Sequence, residues 1–167
     1  SCGITLTAGT LNINDNSPLG TGTFTIAGGT IDNTGSGPVT FTNASSWNAD
    51  FAYTGSQNLN SGGAITVSSN RTLVMTGSGV LTVSGTIGDG GSGYSLTKAG
   101  AGSMTLSGAN AYTGVTVVSD GSLTLAGNQS AANGGLSVGP ASTGGSLSIA
   151  PGAIVTVATN KTVRIGN

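Results

Sequence analysis

LTKAGAGSMTLSGANAYTGVTVVSDGSLTL, residues Leu96 to Leu125, carries three short segments of one form: apolar, small polar, apolar. They are Met104-Thr105-Leu106, Val115-Thr116-Val117 and Leu123-Thr124-Leu125, and glycine-rich turns separate them. Alternate side chains of a strand point to opposite faces, so each segment offers two apolar groups to one side and a hydroxyl to the other. A strand this short buries too little to stand alone. It must stack on copies of itself, and that requirement makes repeats of this kind β-solenoids.

The same grammar runs outward from this stretch in both directions. It is found in Gly9–Ile13, Phe24-Thr25-Ile26, Val39-Thr40-Phe41, Ile65-Thr66-Val67 and Leu81-Thr82-Val83. Towards the C-terminus it returns in Leu136-Ser137-Val138, Leu147-Ser148-Ile149 and Val163-Arg164-Ile165. Gly28-Gly29, Gly62-Gly63, Asp120-Gly121 and Gly144-Gly145 supply the sharp corners between them. Two or three such strands fill a coil of about twenty residues, so the chain is expected to form one all-β domain over 1–167. That domain is a parallel β-helix of about eight coils. No segment shows helical periodicity. An antiparallel sandwich is the other all-β layout, but with 4% aromatic residues the chain lacks the bulky core a sandwich needs. The high glycine and serine content could mark disorder, yet disordered chains do not repeat paired apolar residues at strand spacing.

With the repeat in view, Leu96 to Gly114 closely resembles the autotransporter-associated β-strand repeat, whose pattern reads L-T-K-x-G-x-G-T-L-T-L-S-G-x-N-T-Y-T-G. Val115 to Leu123 supplies the strand and G-T-L-like continuation, while Met104 and Ala111 depart from the usual Leu and Thr. The resemblance implies a right-handed β-helix in a bacterial secreted or surface-displayed passenger, extracellular or at the cell surface. It implies no enzymatic activity, and it implies a role as a stalk or adhesin. Trp47–Phe51 and Asn70–Leu73 resemble inter-repeat sequence of such proteins.

Charge sets further bounds. Only 5% of the 167 residues are charged, there is no His, and the net charge is −1; ordinary domains carry about 25% charged residues. Four scattered bases (Arg71, Lys98, Lys161, Arg164) cannot displace the counterions of a nucleic acid. No run approaches the ~18 apolar residues that cross a bilayer, so this segment is not expected to insert in a membrane. No secretion signal opens the sequence, which places any such signal outside it or removed. Cys2 is the one cysteine, read as a small buried hydrophobe of the first rung, with an interchain bridge or a lipid-modified N-terminus as alternatives.

Candidate chemistry is sparse, and no cofactor is expected. Gly88, Gly90 and Gly93 match G-x-G-x-x-G, but strand-like Tyr94–Thr97 follows where a dinucleotide site needs a helix. Ser95 stands where a calcium-binding nonapeptide would place Asp. Asp15, Asp32 and Asp50 recur at 17 and 18 residues, so coils of that length would stack them into a carboxylate ladder fit for a hard cation. Turn-forming sequence around each gives the plainer reading. Trp47, Phe51 and Tyr53 would share a face if 47–53 were one strand. Packed inwards they are core, and turned outwards they would stack on sugar rings. Without His or Glu there is no triad and no base tuned near neutrality.

Three functional expectations follow. The first is a non-catalytic extracellular column that works by spacing or adhesion, meeting a surface polysaccharide or a host or neighbouring cell. The second is a filament subunit stacking on itself or on adjoining repeats. Ile4-Thr5-Leu6 and Val163-Arg164-Ile165 keep the repeat grammar close to the termini, where a solenoid normally carries a polar cap, and so form the expected assembly interface (Ile4, Leu6, Val163, Ile165). The third is a carbohydrate-binding adhesin using Trp47, Phe51 and Tyr53.

Overall fold

A computed structural model describes residues 2–16, 19–129, 134–138, 145–155 and 163–165. Within them the chain winds through short strands in three parallel sheets. The first sheet stacks β1 (Ile4–Leu6), β3 (Phe24–Ile26), β6 (Ser45–Trp47), β9 (Ile65–Val67) and β12 (Ile87–Gly88). The second stacks β2 (Thr10–Asn12), β4 (Thr30–Asp32), β7 (Phe51–Tyr53), β10 (Arg71–Met75), β13 (Leu96–Ala99), β15 (Thr116–Val118), β17 (Leu136–Val138) and β19 (Val163–Ile165). The third stacks β5 (Val39–Phe41), β8 (Leu59–Ser61), β11 (Val80–Val83), β14 (Ser103–Leu106), β16 (Ser122–Leu125) and β18 (Ser146–Ile149). Every strand pair is parallel, and each joins one turn to the next. The expected all-β parallel solenoid is the observed fold.

Two details differ from expectation. Among the described residues the three sheets hold five, eight and six strands, so turns complete on all three faces number about 6 rather than about eight. Corners also vary in length from turn to turn. Ile4 stands under Phe24, twenty residues on, but Arg71 pairs with Leu96, twenty-five on. The other detail is the face of Val115–Val117. β15 begins one residue later, burying Thr116 and Val118 and leaving Val117 outward. Thr116 goes inside because its hydroxyl meets the buried Tyr112 phenol at 2.5 Å.

The interior is a set of vertical columns. Leu6, Ile26, Trp47 and Val67 stack in the first sheet. Val39, Leu59, Leu81, Met104 and Leu123 stack in the third. Phe24 meets Phe41 edge-on across the core at 5.9 Å, and Trp47 meets Phe51 at 5.2 Å. Such ring pairs add about 0.5–1.5 kcal/mol each to plain area burial.

Corners are where strand pairing lapses, and side chains take over its hydrogen bonds. Asn14 Oδ1 accepts the Thr34 N–H of the next turn at 3.0 Å, and Asp50 accepts that of Thr72 at 2.8 Å. Asn58 accepts that of Val80 at 2.9 Å, and Asn70 that of Ser95 at 2.9 Å. Asn and Asp serve here because a short side-chain carbonyl or carboxylate reaches the backbone N–H of the next turn where no ladder carbonyl does.

Candidate functional site

The aromatic row does not form. Trp47 ends β6 in the first sheet and Phe51 opens β7 in the second, with a corner between them. Trp47, Phe51 and Tyr53 are 2%, 4% and 0% exposed, so none offers a ring to a sugar. The carboxylate ladder fails on register: a turn is longer than the seventeen or eighteen residues that separate the aspartates. Asp32 pairs with Asn12 on one side and accepts the Thr54 hydroxyl at 3.2 Å on the other. Asp50 accepts the Thr72 N–H and pairs with the Arg71 guanidinium at 3.4 Å. Asp15 lies beside Asn14 and Asn16 in an open polar hollow. Among the described residues no three potential ligands gather for a metal. Cys2 is exposed rather than buried, because the chain enters its first strand only at Ile4.

Of the assembly residues, Leu6 is buried and Ile4 half-buried under the second turn. Val163 and Ile165 are register partners of Leu136 and Val138, but their side chains lie outside the described residues.

The stretch 96–125 is the best-furnished part of the column. Its Lys98 stands in the inner column between Leu73 and Val118 and is 1% exposed. An ammonium there is tolerable only if its three protons are used. The Lys98 ammonium donates to the carbonyl oxygens of Ala99 (3.2 Å), Asp120 (2.8 Å) and Gly100. It thereby ties its own corner to the corner one turn later. Burial pushes its pKa below the usual lysine value, and the Asp120 charge partly restores it. Gly121 completes that corner at φ +65°; a Cβ there would lie 2.6 Å from the Lys98 amine. Gly114 is required for a different reason, since a Cβ on it would lie 2.2 Å from the Tyr94 carbonyl carbon.

Asn110 and Gln129, both 1% exposed, sit beyond the last strand of the first sheet. Asn110 Oδ1 accepts the Ile87 N–H, and its amide donates to Gln129 Oε1, each at 2.9 Å. A buried amide ladder thus replaces a strand ladder. Tyr112 is buried too, and burial pushes its phenol up to about 12 against the opposing effect of its bond to Thr116.

Asp89, in the glycine-rich corner 88–93, is 4% exposed and receives four donors. They are the N–H groups of Gly91 (2.9 Å), Tyr94 (2.9 Å) and Thr113 (3.0 Å) and the Thr113 hydroxyl (2.8 Å). Burial alone would raise its pKa, but these bonds outweigh it and hold the carboxyl at about 2. The G-x-G-x-x-G match is therefore a corner built around a carboxylate.

Lys98, Asp89 and the Asn110–Gln129 pair were not singled out for these roles by sequence reading. For Lys98 a signal existed: strand alternation from Leu96 places it on the inner face.

Residues 96–125 match the family described as Passenger-associated-transport-repeat. Over 71 residues, 41% of this chain, the sequence is 44% identical to the adhesin BmaC autotransporter of Brucella suis biovar 1 (strain 1330). That alignment spans 2% of the adhesin's length. No solved structure matches the chain. No helix among the described residues is long and apolar enough to cross a membrane. The stretch from Leu96 to Leu125 is an autotransporter passenger repeat, folded as one turn and more of a parallel β-solenoid.

Proposed function

We propose that this chain is a non-catalytic, extracellular segment of a bacterial surface passenger, a stiff column that holds adhesive faces away from the cell. The supporting observation is how the repeat uses its polar groups. Lys98, Asn110, Tyr112 and Thr113 all bond to the column itself, across turns or within one. Conserving the column, rather than reacting with a substrate, is what these groups accomplish. The likeness to the BmaC adhesin supports the adhesive half of the reading. A partner such as a surface polysaccharide or a host or neighbouring cell would meet hydroxyl and amide faces, not aromatic rings.

The test is display of residues 1–167 on a non-adherent bacterium, with retention counted on glass, on polysaccharide films and on cultured host cells under flow. Retention on at least one surface above that of cells displaying an unrelated solenoid is expected. Equal retention on all three would overturn the adhesive reading.

A second reading, stacking on adjoining repeats or on another copy, is supported by Ile149 and Ile154, 51% and 57% exposed. Ile149 continues the inner column above Leu125. Negative-stain electron microscopy distinguishes the two: uniform filaments of solenoid width support stacking, and short separate rods oppose it.

A further inference from the structure

We propose that the outer face of the third sheet is an ice-binding plane, one that adsorbs to the crystalline lattice of frozen water. Its central column runs Thr40, Asn60, Thr82, Thr105, Thr124, Ser148, each the register partner of the next. A shorter column, Ser103, Ser122 and Ser146, runs beside it on the same face, and within it the Ser122 hydroxyl bonds to that of Ser103 at 2.8 Å, which leaves the threonine file as the free one. Parallel pairing sets the rungs about 4.8 Å apart, and residues i and i+2 of one strand lie about 6.7 Å apart. The outcome is a straight file of outward polar side chains at rung spacing, hydroxyl-bearing at every position but Asn60, with no bulge in the register.

Three properties make a lattice the fitting partner. First, the face is uncharged: every described Asp, Lys and Arg stands inside the column, at a corner or on the second sheet. A charged polymer finds no complement there. Second, the hydroxyls of Thr82, Thr105 and Thr124 make no bond to other described residues, whereas those of Thr113 and Thr116 elsewhere are bonded. They are free to join an external network. Third, threonine is stiff at χ1, so the file is ordered before contact and loses little entropy on adsorption. A soluble sugar favours a concave, aromatic-lined site, which this flat face is not. The prism plane of hexagonal ice is itself a rectangular grid of uncharged oxygens, with one repeat close to the rung spacing of the Thr82–Thr105–Thr124 file.

This inference does not depend on the adhesive reading. Its test is thermal hysteresis and ice-recrystallisation inhibition by the purified 167-residue chain. Both activities are expected in the unaltered chain. Thr105→Lys with Thr124→Lys should abolish them while far-UV circular dichroism is unchanged. Thr97→Lys, facing outward on the second sheet, should leave both intact. Absence of both activities in the unaltered, folded chain would overturn the proposal, as would equal loss in the Thr97 variant. Retention on crystalline cellulose without any effect on ice would overturn it in favour of a glycan. If the double lysine variant misfolds, Thr105→Val with Thr124→Val, which keeps shape but removes hydroxyls, replaces it and should weaken hysteresis severalfold.

Discussion

Thr113 gives both its backbone N–H (3.0 Å) and its hydroxyl (2.8 Å) to the carboxylate of Asp89, one turn earlier in the column. The passenger repeat is thereby locked to the turn that precedes it, through a residue outside the matched stretch. Because these bonds hold the carboxyl at about 2, against 3.8 in a free chain, the unfolded state binds the proton more readily. The stabilisation is complete above about pH 4 and is lost as pH falls towards 2. It amounts to roughly 1–2 kcal/mol. Asp89→Asn is expected to lower the melting temperature at pH 7 and to flatten its fall between pH 4 and 2. Equal acid sensitivity in both proteins would contradict this.

Lys98 makes the opposite use of a buried charge. Lys98→Met fits the column by shape but leaves the carbonyl oxygens of Ala99, Gly100 and Asp120 without their donor. A loss of about 1–3 kcal/mol is expected, since each buried acceptor without a partner bears its full desolvation cost. The wild-type protein also carries a pH signature here. Its folded amine has a lowered pKa, so the unfolded chain binds more protons just below pH 10.5, and this contribution to stability rises with pH in that window. Urea midpoints of the two proteins should diverge between pH 8 and 10.5, the wild type gaining on Lys98→Met, if Lys98 behaves so. Parallel curves would show that the amine does not titrate there.

Above that window the two buried phenols dominate. Burial pushes Tyr112 up to about 12, and burial together with the Asp32 charge does the same to Tyr53. Their contribution is present below pH 10 and is lost as pH rises from 10 to 12, when unfolded tyrosines ionise and folded ones do not. Phenolate absorbance should rise together with the loss of β-sheet circular dichroism, rather than before it.

The strand grammar was legible because each apolar pair must find a neighbour, and Phe24-Thr25-Ile26 or Leu123-Thr124-Leu125 states that need locally. Turn length was not legible, because corners such as 88–95 are set by hydrogen bonds like that from Thr113 to Asp89, between residues far apart in sequence. The same cause undid the reading of Asp15, Asp32 and Asp50 as a ladder: spacing in sequence predicts stacking only when every corner is equally long. The inward alternative holds for Trp47, Phe51 and Tyr53, but the single strand over 47–53 does not, because nothing in Asn48-Ala49-Asp50 announces a corner to the eye. Asp50 marks it only through its bonds to Thr72 and Arg71 of the next turn.

Trp47 reports directly on that correction. At 2% exposure and edge-on to Phe51, its emission should be blue-shifted and barely quenched by acrylamide until the column unfolds. Trp47→Ala should cost about 3–5 kcal/mol, the range for removing a large aromatic from a packed core. An emission maximum near that of free tryptophan would return the residue to the surface and reopen stacking on sugars.

Proteolysis gives the last and simplest check, because trypsin reads where the basic residues are. Arg71 and Lys98 are 7% and 1% exposed and lie in paired strands, whereas Arg164 is exposed. Cleavage at Arg71 or Lys98 requires that the turn holding it open first, so its rate follows the stability of the column. The native protein should lose only a short C-terminal piece, and cleavage after Lys98 should speed up in the Asp89→Asn protein as its corner loosens. Rapid early cutting at Arg71 in the unaltered chain would show that the side chain lies outside the column, and with it the register from Arg71 to Leu96 would fall.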